Sequence, residues 1–453
     1  MGENIHPKTM FDGLFSTLLI GAALIGLMVL VALPSQGANN PALGVNVKNY
    51  GAKGDGVHDD TAAFQRAMLA VAKKGGGRVY IPAGNYRISG HLDVPDDVTL
   101  EGVWIAPPRS ETPTTVFPNA AAYNQMKVHG TTLLAFEGRG NADGTPFITL
   151  HQNSMLDGIS IFYPDQTHPT PTPYPWCIRG IGDDCSIRNV MLVNPYQGVD
   201  FGTYPAGRHF IDGLYGGPLY KGLFIDQCFD IGRVENVHFW PFWINSDAGL
   251  AKWMSQHATA FIIGRTDWEY MMNCFSIWYH IGYHFIQVKN GPGNVVLTQC
   301  GADEGADDMH TTPVVVDNCQ GHAGISFVNG QFMGTTEVVV EPSNTGPVKF
   351  TACGFWGMPN SNNVAKLAGS GNVTFTGCHF ISWGHRDPSA PAIDAACQGL
   401  TVTGCDFMDA GKTQVKIEPG CQSAIIVANR LRGGAHIENP AGIQTQIGLN
   451  SDH

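Results

Sequence analysis

The chain has 453 residues, of which 14% are charged, and its formal net charge is −12. That balance leaves no basic surface large enough to hold nucleic-acid phosphates, so nucleic acid is not an expected partner. The 56 glycines and 28 prolines suit a chain that turns often, and a stack of repeats can reach this length without dividing into ordinary domains.

Residues 1–38 stand apart. Positions 14–33 form an apolar run without a charge, and the following PSQGA offers small residues for cleavage. The run predicts an export signal or a retained membrane anchor. Either places the remaining chain outside the cytoplasm, whether secreted, periplasmic or at the cell surface. Residues 39–90 read as a cap module. A strand is expected over 45–50, a tight loop over 51–56, and a helix behind Asp60 as N-cap, with Phe64, Ala67, Met68 and Val71 at helical spacing. Lys73, Lys74 and three glycines end that helix, and residues 78–86 predict a strand and a turn. Asp55, Asp59 and Asp60 look catalytic in isolation, but their place before a helix favours loop and cap roles.

Two segments of this module, VKNYGAKGDGVHDDTAAFQ from Val47 and GGRVYIPAGNY from Gly76, resemble the opening of the pectate-lyase-like superfamily, of the rhamnogalacturonase/epimerase type. That group holds polygalacturonases, rhamnogalacturonases, related lyases and phage tailspikes. The resemblance implies an all-β chain, a right-handed parallel β-helix with a short N-terminal capping helix. It is specific for the fold and weak for the reaction, because in such families this motif builds the cap.

From residue 91 to 453 a short unit recurs: apolar–x–apolar–x–x–small or Cys–x–apolar. It is clearest from Val348 to Phe355, Val373 to Phe380 and Leu400 to Phe407, and looser copies begin at Val98, Ser154, Cys185, Gly232, Tyr270 and Val295. Alternation gives a strand with one buried face, and a fixed period signals a solenoid whose coils bury one another. Longer intervals between starts predict that residues 194–225 and 240–266 leave the stack as loops. Cys300, Cys353, Cys378 and Cys405 share one small slot, which predicts a ladder of buried thiols; a bridge between Cys177 and Cys185 stays open.

Residues just after each unit leave neighbouring strands at one corner. Tyr163, Tyr196, Trp240, Trp243, Trp278, Tyr279, His280, Trp356 and Trp383 fall there, and a stripe of rings predicts a platform for sugars. Near its middle the stripe turns acidic, with Asp303, Glu304, Asp307, Asp308 and His310; Arg265, Asp267 and Glu269 lie one coil earlier. Glycosidic cleavage needs a protonated carboxyl and a second carboxylate, and crowded carboxylates raise one another's pKa. Asp303 and Glu304 are therefore the expected catalytic acids; they alternate in direction, so one of them faces the groove, partnered by Asp307, Asp308 or the Asp267/Glu269 pair, with Arg265 against the substrate. Gln320 to Gly324 resembles the Gly-His-Gly of glycoside hydrolase family 28, but that family's Asn-Thr-Asp and Arg-Ile-Lys are missing, so its catalytic residues do not transfer. No zinc-ligand pair or nucleotide loop stands out.

The sequence thus predicts an exported enzyme acting on a polysaccharide, with glycoside hydrolysis preferred. The rivals are a lyase on a uronic-acid polymer and a non-catalytic carbohydrate-binding or surface β-helix. No cofactor is expected, unless a lyase uses Ca²⁺.

Overall fold

The recurring unit is a folded corner rather than one straight strand. Its residue before the small slot adopts left-handed backbone: Asn189, Asn236, Asn273, Gln299, Asn329 and Ala352 have φ between +48° and +56°. Asn tolerates this region better than most side chains, since its amide bonds locally. Stacked corner side chains also bond along the axis, as in Asn236 Nδ2 to Asp212 Oδ1 at 2.8 Å and Asn273 Nδ2 to Asn236 Oδ1 at 2.8 Å. The two arms of each corner belong to one 24-stranded parallel sheet. A third strand per coil builds a separate 13-stranded parallel sheet.

The computed structural model describes residues 44–104, 130–241, 247–305, 309–440 and 442–452. The expected signal or anchor at 1–38 lies outside them. Among the described residues no helix is long and apolar enough to cross a membrane. Every named pairing between strands is parallel, and successive coils lie about 4.8 Å apart, the ordinary strand spacing. With right-handed crossovers, three strands per coil make a right-handed parallel β-helix.

Inside the stack, like residues meet like. Phe327, Phe350 and Phe375 stack with centroids 5.3 and 5.1 Å apart, and Phe332, Phe355, Phe380 and Phe407 stack at 5.3, 5.3 and 4.6 Å. All eleven cysteines are buried and free, Cys177 and Cys185 included. The cap module joins the same sheet: Val45 pairs with Val79, and Val79 with Leu100. Helix α1 (Thr61–Ala72) buries Ala63, Phe64, Ala67, Met68 and Val71.

Asp60 precedes α1 but makes no side-chain cap bond; its carboxylate instead accepts from the Lys53 and Gly54 amides at 2.7 and 3.0 Å. Asp59 accepts from the Thr61 amide at 3.0 Å. Asp60 thus holds the N-cap position the sequence suggests, while its side chain is drawn into the preceding loop.

The segment 194–225 is not a loop. It holds strands Gln197–Phe201, Phe210–Gly217 and Lys221–Ile225, a full extra coil. Its corner escapes the sequence template because the first and last core slots hold His209 and Gly216, leaving only Ile211 and Leu214 apolar. The segment 240–266 likewise contains helix α2 (Ala248–His257) and strand Thr259–Ile263. Asp247 caps α2 by accepting from the Leu250 amide at 2.9 Å.

Candidate functional site

The short strands of the 13-stranded sheet carry two kinds of position. Ile178, Val199, Leu223, Phe261, Tyr283 and Val314 align and are buried. The next residue on each strand faces the other way, giving the row Arg179, Asp200, Phe224, Ile262, His284 and Val315. Period-two alternation forces this segregation once register is fixed.

An ion pair and a histidine–carboxylate pair sit along that row. Arg179 Nε donates to Asp200 Oδ2 at 2.6 Å, and the Asp200 carboxylate also accepts from the Gly202 and Thr203 amides at 3.0 and 2.8 Å. The guanidinium stays partly exposed, 5.9 Å from the Tyr204 ring centroid. Four strands on, His284 Nε2 lies 3.1 Å from Asp317 Oδ1. With Nε2–H donating to Asp317, Nδ1 keeps the lone pair.

Aromatic rings border the row. Trp176 stacks on Phe224 at 6.3 Å and Tyr196 on Tyr220 at 4.8 Å; Tyr220 in turn meets Trp253 of α2, which stacks on His257 at 4.7 Å. Lys221 Nζ lies 6.0 Å from the Trp176 ring and 5.5 Å from the Tyr220 ring. Tyr196, Tyr220, Lys221, Phe224 and Trp253 are half-buried, so apolar ring surface and cations share one open face. Such a face suits a glycan carrying negative charge.

Of the aromatic residues expected from the sequence, Tyr196 reaches this face. Tyr163 is buried against Phe147 and Tyr174, and Tyr279 is buried with its hydroxyl donating to Pro218 O at 2.5 Å. Trp383 is fully buried against Phe407, and Trp278 is 6% exposed. These four rings fill space between coils instead of lining a surface. Trp240 stacks on His238 at 6.2 Å on another side of the helix, and Trp356 is half-buried beside Met333 and Ile381 in its ladder. His280 Nδ1 lies 3.0 Å from both Ser255 O and His310 O, tying α2 to the stack. Trp243, Asp307 and Asp308 lie outside the described residues.

The acids are likewise drawn inward. Glu304 is buried; Thr335 Oγ1 donates to its Oε2 at 3.0 Å and Asn360 Nδ2 to its Oε1 at 3.1 Å. Burial pushes its carboxyl up from 4.5 to about 7. Glu337, one coil on, is fully buried and pushed well above the ordinary range by burial, with Glu304 adding to it. Asp303 is half-buried and raised by burial, and accepts from the Gly305 amide at 2.7 Å. Asp267 pairs with Arg265 at 2.9 Å and accepts from Gln320 Nε2 at 2.8 Å. Arg265 also donates to Pro292 O at 3.2 Å. Glu269 is buried with His209, 3.0 Å away. The structure brings Asp303 and Glu304 together, and Arg265 with Asp267, but none of these expected acids forms an exposed carboxyl pair.

Trp176, Arg179, Asp200, Tyr220, Lys221, Phe224, Trp253, His284 and Asp317 are absent from the sequence-derived site. Arg179, Asp200, Phe224 and His284 sit on five-residue strands outside the eight-residue unit, so only strand register shows that they share a row, and only the fold brings Trp253 of α2 to its border.

Comparison with known proteins bears on the fold first. Residues 44–202 match the family model "Rhamnogalacturonase A/epimerase, pectate lyase-like". Mannuronan C5-epimerase AlgE5 of Azotobacter vinelandii is 64% identical over 45 residues, which is 10% of this chain and 4% of that protein. Alginate lyase 7 of the same organism is 57% identical over 55 residues, 12% of this chain and 6% of its own length. Among solved structures, the A-module of mannuronan C-5 epimerase AlgE6 from Azotobacter vinelandii superposes with TM-score 0.58 at 15% identity, covering 90% of this chain and 99% of the module. The N-terminal fragment of bacteriophage Phi29 gene product 12 gives TM-score 0.55 at 13% identity, covering 90% and 68%. The chain is a parallel β-helix protein whose residues 44–202 carry the rhamnogalacturonase A/epimerase, pectate lyase-like pattern.

Proposed function

We propose that this protein is a polysaccharide-active enzyme that binds a uronate-rich glycan across the outer face of the 13-stranded sheet and acts at C5 of a uronate, as an epimerase or a lyase. The observation that carries this reading is the outward row with its border, where Arg179 and Lys221 stand among stacked rings and His284 is oriented by Asp317. Arg179 and His284 are four strands apart, about 19 Å, so an extended polymer lying along the helix axis meets both.

The chemistry follows from those groups. Arg179 and Lys221 stand four and two strands from His284, about 19 Å and at least about 10 Å, so they hold the carboxylates of neighbouring residues in the polymer while His284 meets the C5 proton of another. His284 Nδ1 is the proposed base. Returning a proton to the opposite face of C5 gives the epimer, while expelling the C4 oxygen gives an unsaturated uronate. The names of the partial relatives, a mannuronan epimerase and an alginate lyase, support a uronan as substrate. An export segment at 14–33 would bring the enzyme to such a polymer.

Hydrolysis has one observation in its favour, the Glu304 carboxyl held at about 7. That suits a general acid, yet Glu304 is buried beneath Thr335 and Asn360.

Incubation with mannuronan, alginate and polygalacturonate separates the outcomes, with chelator as a parallel arm. Epimerisation changes the proton NMR spectrum without shortening the chain. Elimination yields products absorbing in the near ultraviolet. Saturated reducing ends would return the hydrolase, and no change with retained glycan would make the protein a binder.

A further inference from the structure

The first core slot of the recurring unit is apolar in most coils: Val295, Ile325, Val348 and Val373 align there. Three consecutive coils break the pattern. His209 aligns with Gly232, and Gly232 with Glu269, so an imidazole and a carboxylate occupy a slot that holds valine or isoleucine from Val295 to Val373. Burying both is costly unless something satisfies them.

Cys228 lies in the turn between those coils, and its sulfur completes a cluster. The ligating atoms of His209, Cys228 and Glu269 all lie within 4.8 Å of one another, and all three residues are buried. His209 Nδ1 lies 2.8 Å from Ala206 O, which directs its Nε2 at Glu269 Oε1, 3.0 Å away. Glu269 Oε2 is buried and has no hydrogen-bond partner. A Cβ on Gly232 would stand 2.2 Å from that oxygen and 2.6 Å from the His209 ring, so glycine alone lets the two meet.

A shared proton between His209 and Glu269 accounts for Nε2 and Oε1. It leaves Oε2 unsatisfied, with the Cys228 sulfur, bonded to Asp230 O, close beside it. We propose that His209, Cys228 and Glu269 form a binding site for a borderline-soft divalent cation, Zn²⁺ by its donor set. Ca²⁺ and Mg²⁺ take oxygen ligands, whereas imidazole, thiolate and carboxylate together suit zinc. Zinc bonds of about 2.0–2.3 Å at tetrahedral angles put ligand atoms roughly 3.3–3.8 Å apart, so the cluster's widest edge closes by about 1 Å. The backbone acceptor on Nδ1 is the partner a metal-bound histidine ordinarily has.

Binding releases the Cys228 thiol proton and the proton shared by His209 and Glu269 to solvent, and opens the 2.8 Å contact of Cys228 Sγ with Asp230 O. The ion fastens three coils at the corner whose turns carry Thr203, Asp226 and Arg265 beside the 13-stranded sheet. This site does not depend on the reaction proposed above.

The test uses the full chain, stripped with chelator and titrated with Co²⁺ alone. The expected result is a thiolate-to-cobalt charge-transfer band with visible d–d bands, saturating near about one equivalent and bleached by Zn²⁺. Cys228→Ser abolishes the charge-transfer band, and Zn²⁺ raises the melting temperature of the wild type by several degrees but not that of the variant. If Cys228→Ser cannot be purified folded, Glu269→Gln, which keeps shape and loses the carboxylate, must weaken Co²⁺ binding at least about tenfold. Absence of the band and of the Zn²⁺ shift in the wild type overturns the proposal. So does an unchanged band in Cys228→Ser, which places the metal on another thiol.

Discussion

The outward row of the 13-stranded sheet and the acidic corner after strand Gly301–Asp303 both gather ionisable groups, and they treat them oppositely. In the row, Asp200 and Asp317 each have a cationic or protonatable partner, Arg179 and His284, and the partner remains partly exposed. At the corner, Glu304 and Glu337 are buried without a cation, and their pKa values rise. A carboxyl that loses water and gains only neutral donors keeps its proton; one beside a cation loses it. Density of acids along the chain therefore marks the corner, while acids paired with partly exposed cationic or protonatable groups mark the row.

Four predictions sharpen or break that contrast. The largest effect on turnover is expected at His284: His284→Gln should lower kcat on a uronan by about 10²-fold or more, the range for a lost general base, with the melting temperature unchanged. The matched change at the corner, Glu304→Gln, should leave kcat within a few-fold. If steady-state rates show the reverse, the corner is the active site and the row is a bystander.

Next come the bordering groups. Lys221→Ala and Trp253→Ala should each weaken uronan binding by about 0.5–2 kcal/mol, a few-fold to about 30-fold in Kd by calorimetry. Lys221→Ala should also flatten the salt dependence. A neutral glycan bound by the wild type as tightly as the uronan would remove charge recognition from the row.

At Phe355, inside the stacked ring ladder, substitution by Ala should cost about 3–5 kcal/mol in denaturant unfolding while leaving Kd for glycan unchanged. Coupled losses of stability and affinity would mean that the row depends on the far side of the stack.

The smallest effect is a pH slope. Glu304 has its folded pKa at about 7, above its ordinary 4.5, so protonation stabilises the fold fully below pH 4.5. That contribution falls as pH rises towards 7. Melting temperatures between pH 4.5 and 7 should therefore decline less steeply in Glu304→Gln than in the wild type. Identical slopes would mean that Glu304 does not carry its proton into the fold at these pH values.

The sequence by itself determined the stack. Alternating apolar slots from Val348, Val373 and Leu400 have no way to be buried except against the next coil, and the shared small slot required Cys353, Cys378 and Cys405 to line up inside. The apolar face of α1 was equally legible, because helical spacing is local. The coil containing His209 was not, since two of its four core slots are not apolar. The candidate site was decided only by tertiary structure. Arg179 and His284 are separated by more than a hundred residues, and nothing local distinguishes them from other polar residues on short strands. Side-chain direction in a strand has period two, so one residue of register decides whether a group faces the core or the substrate. That register is set by how whole coils stack, and no five-residue strand contains the information to fix it.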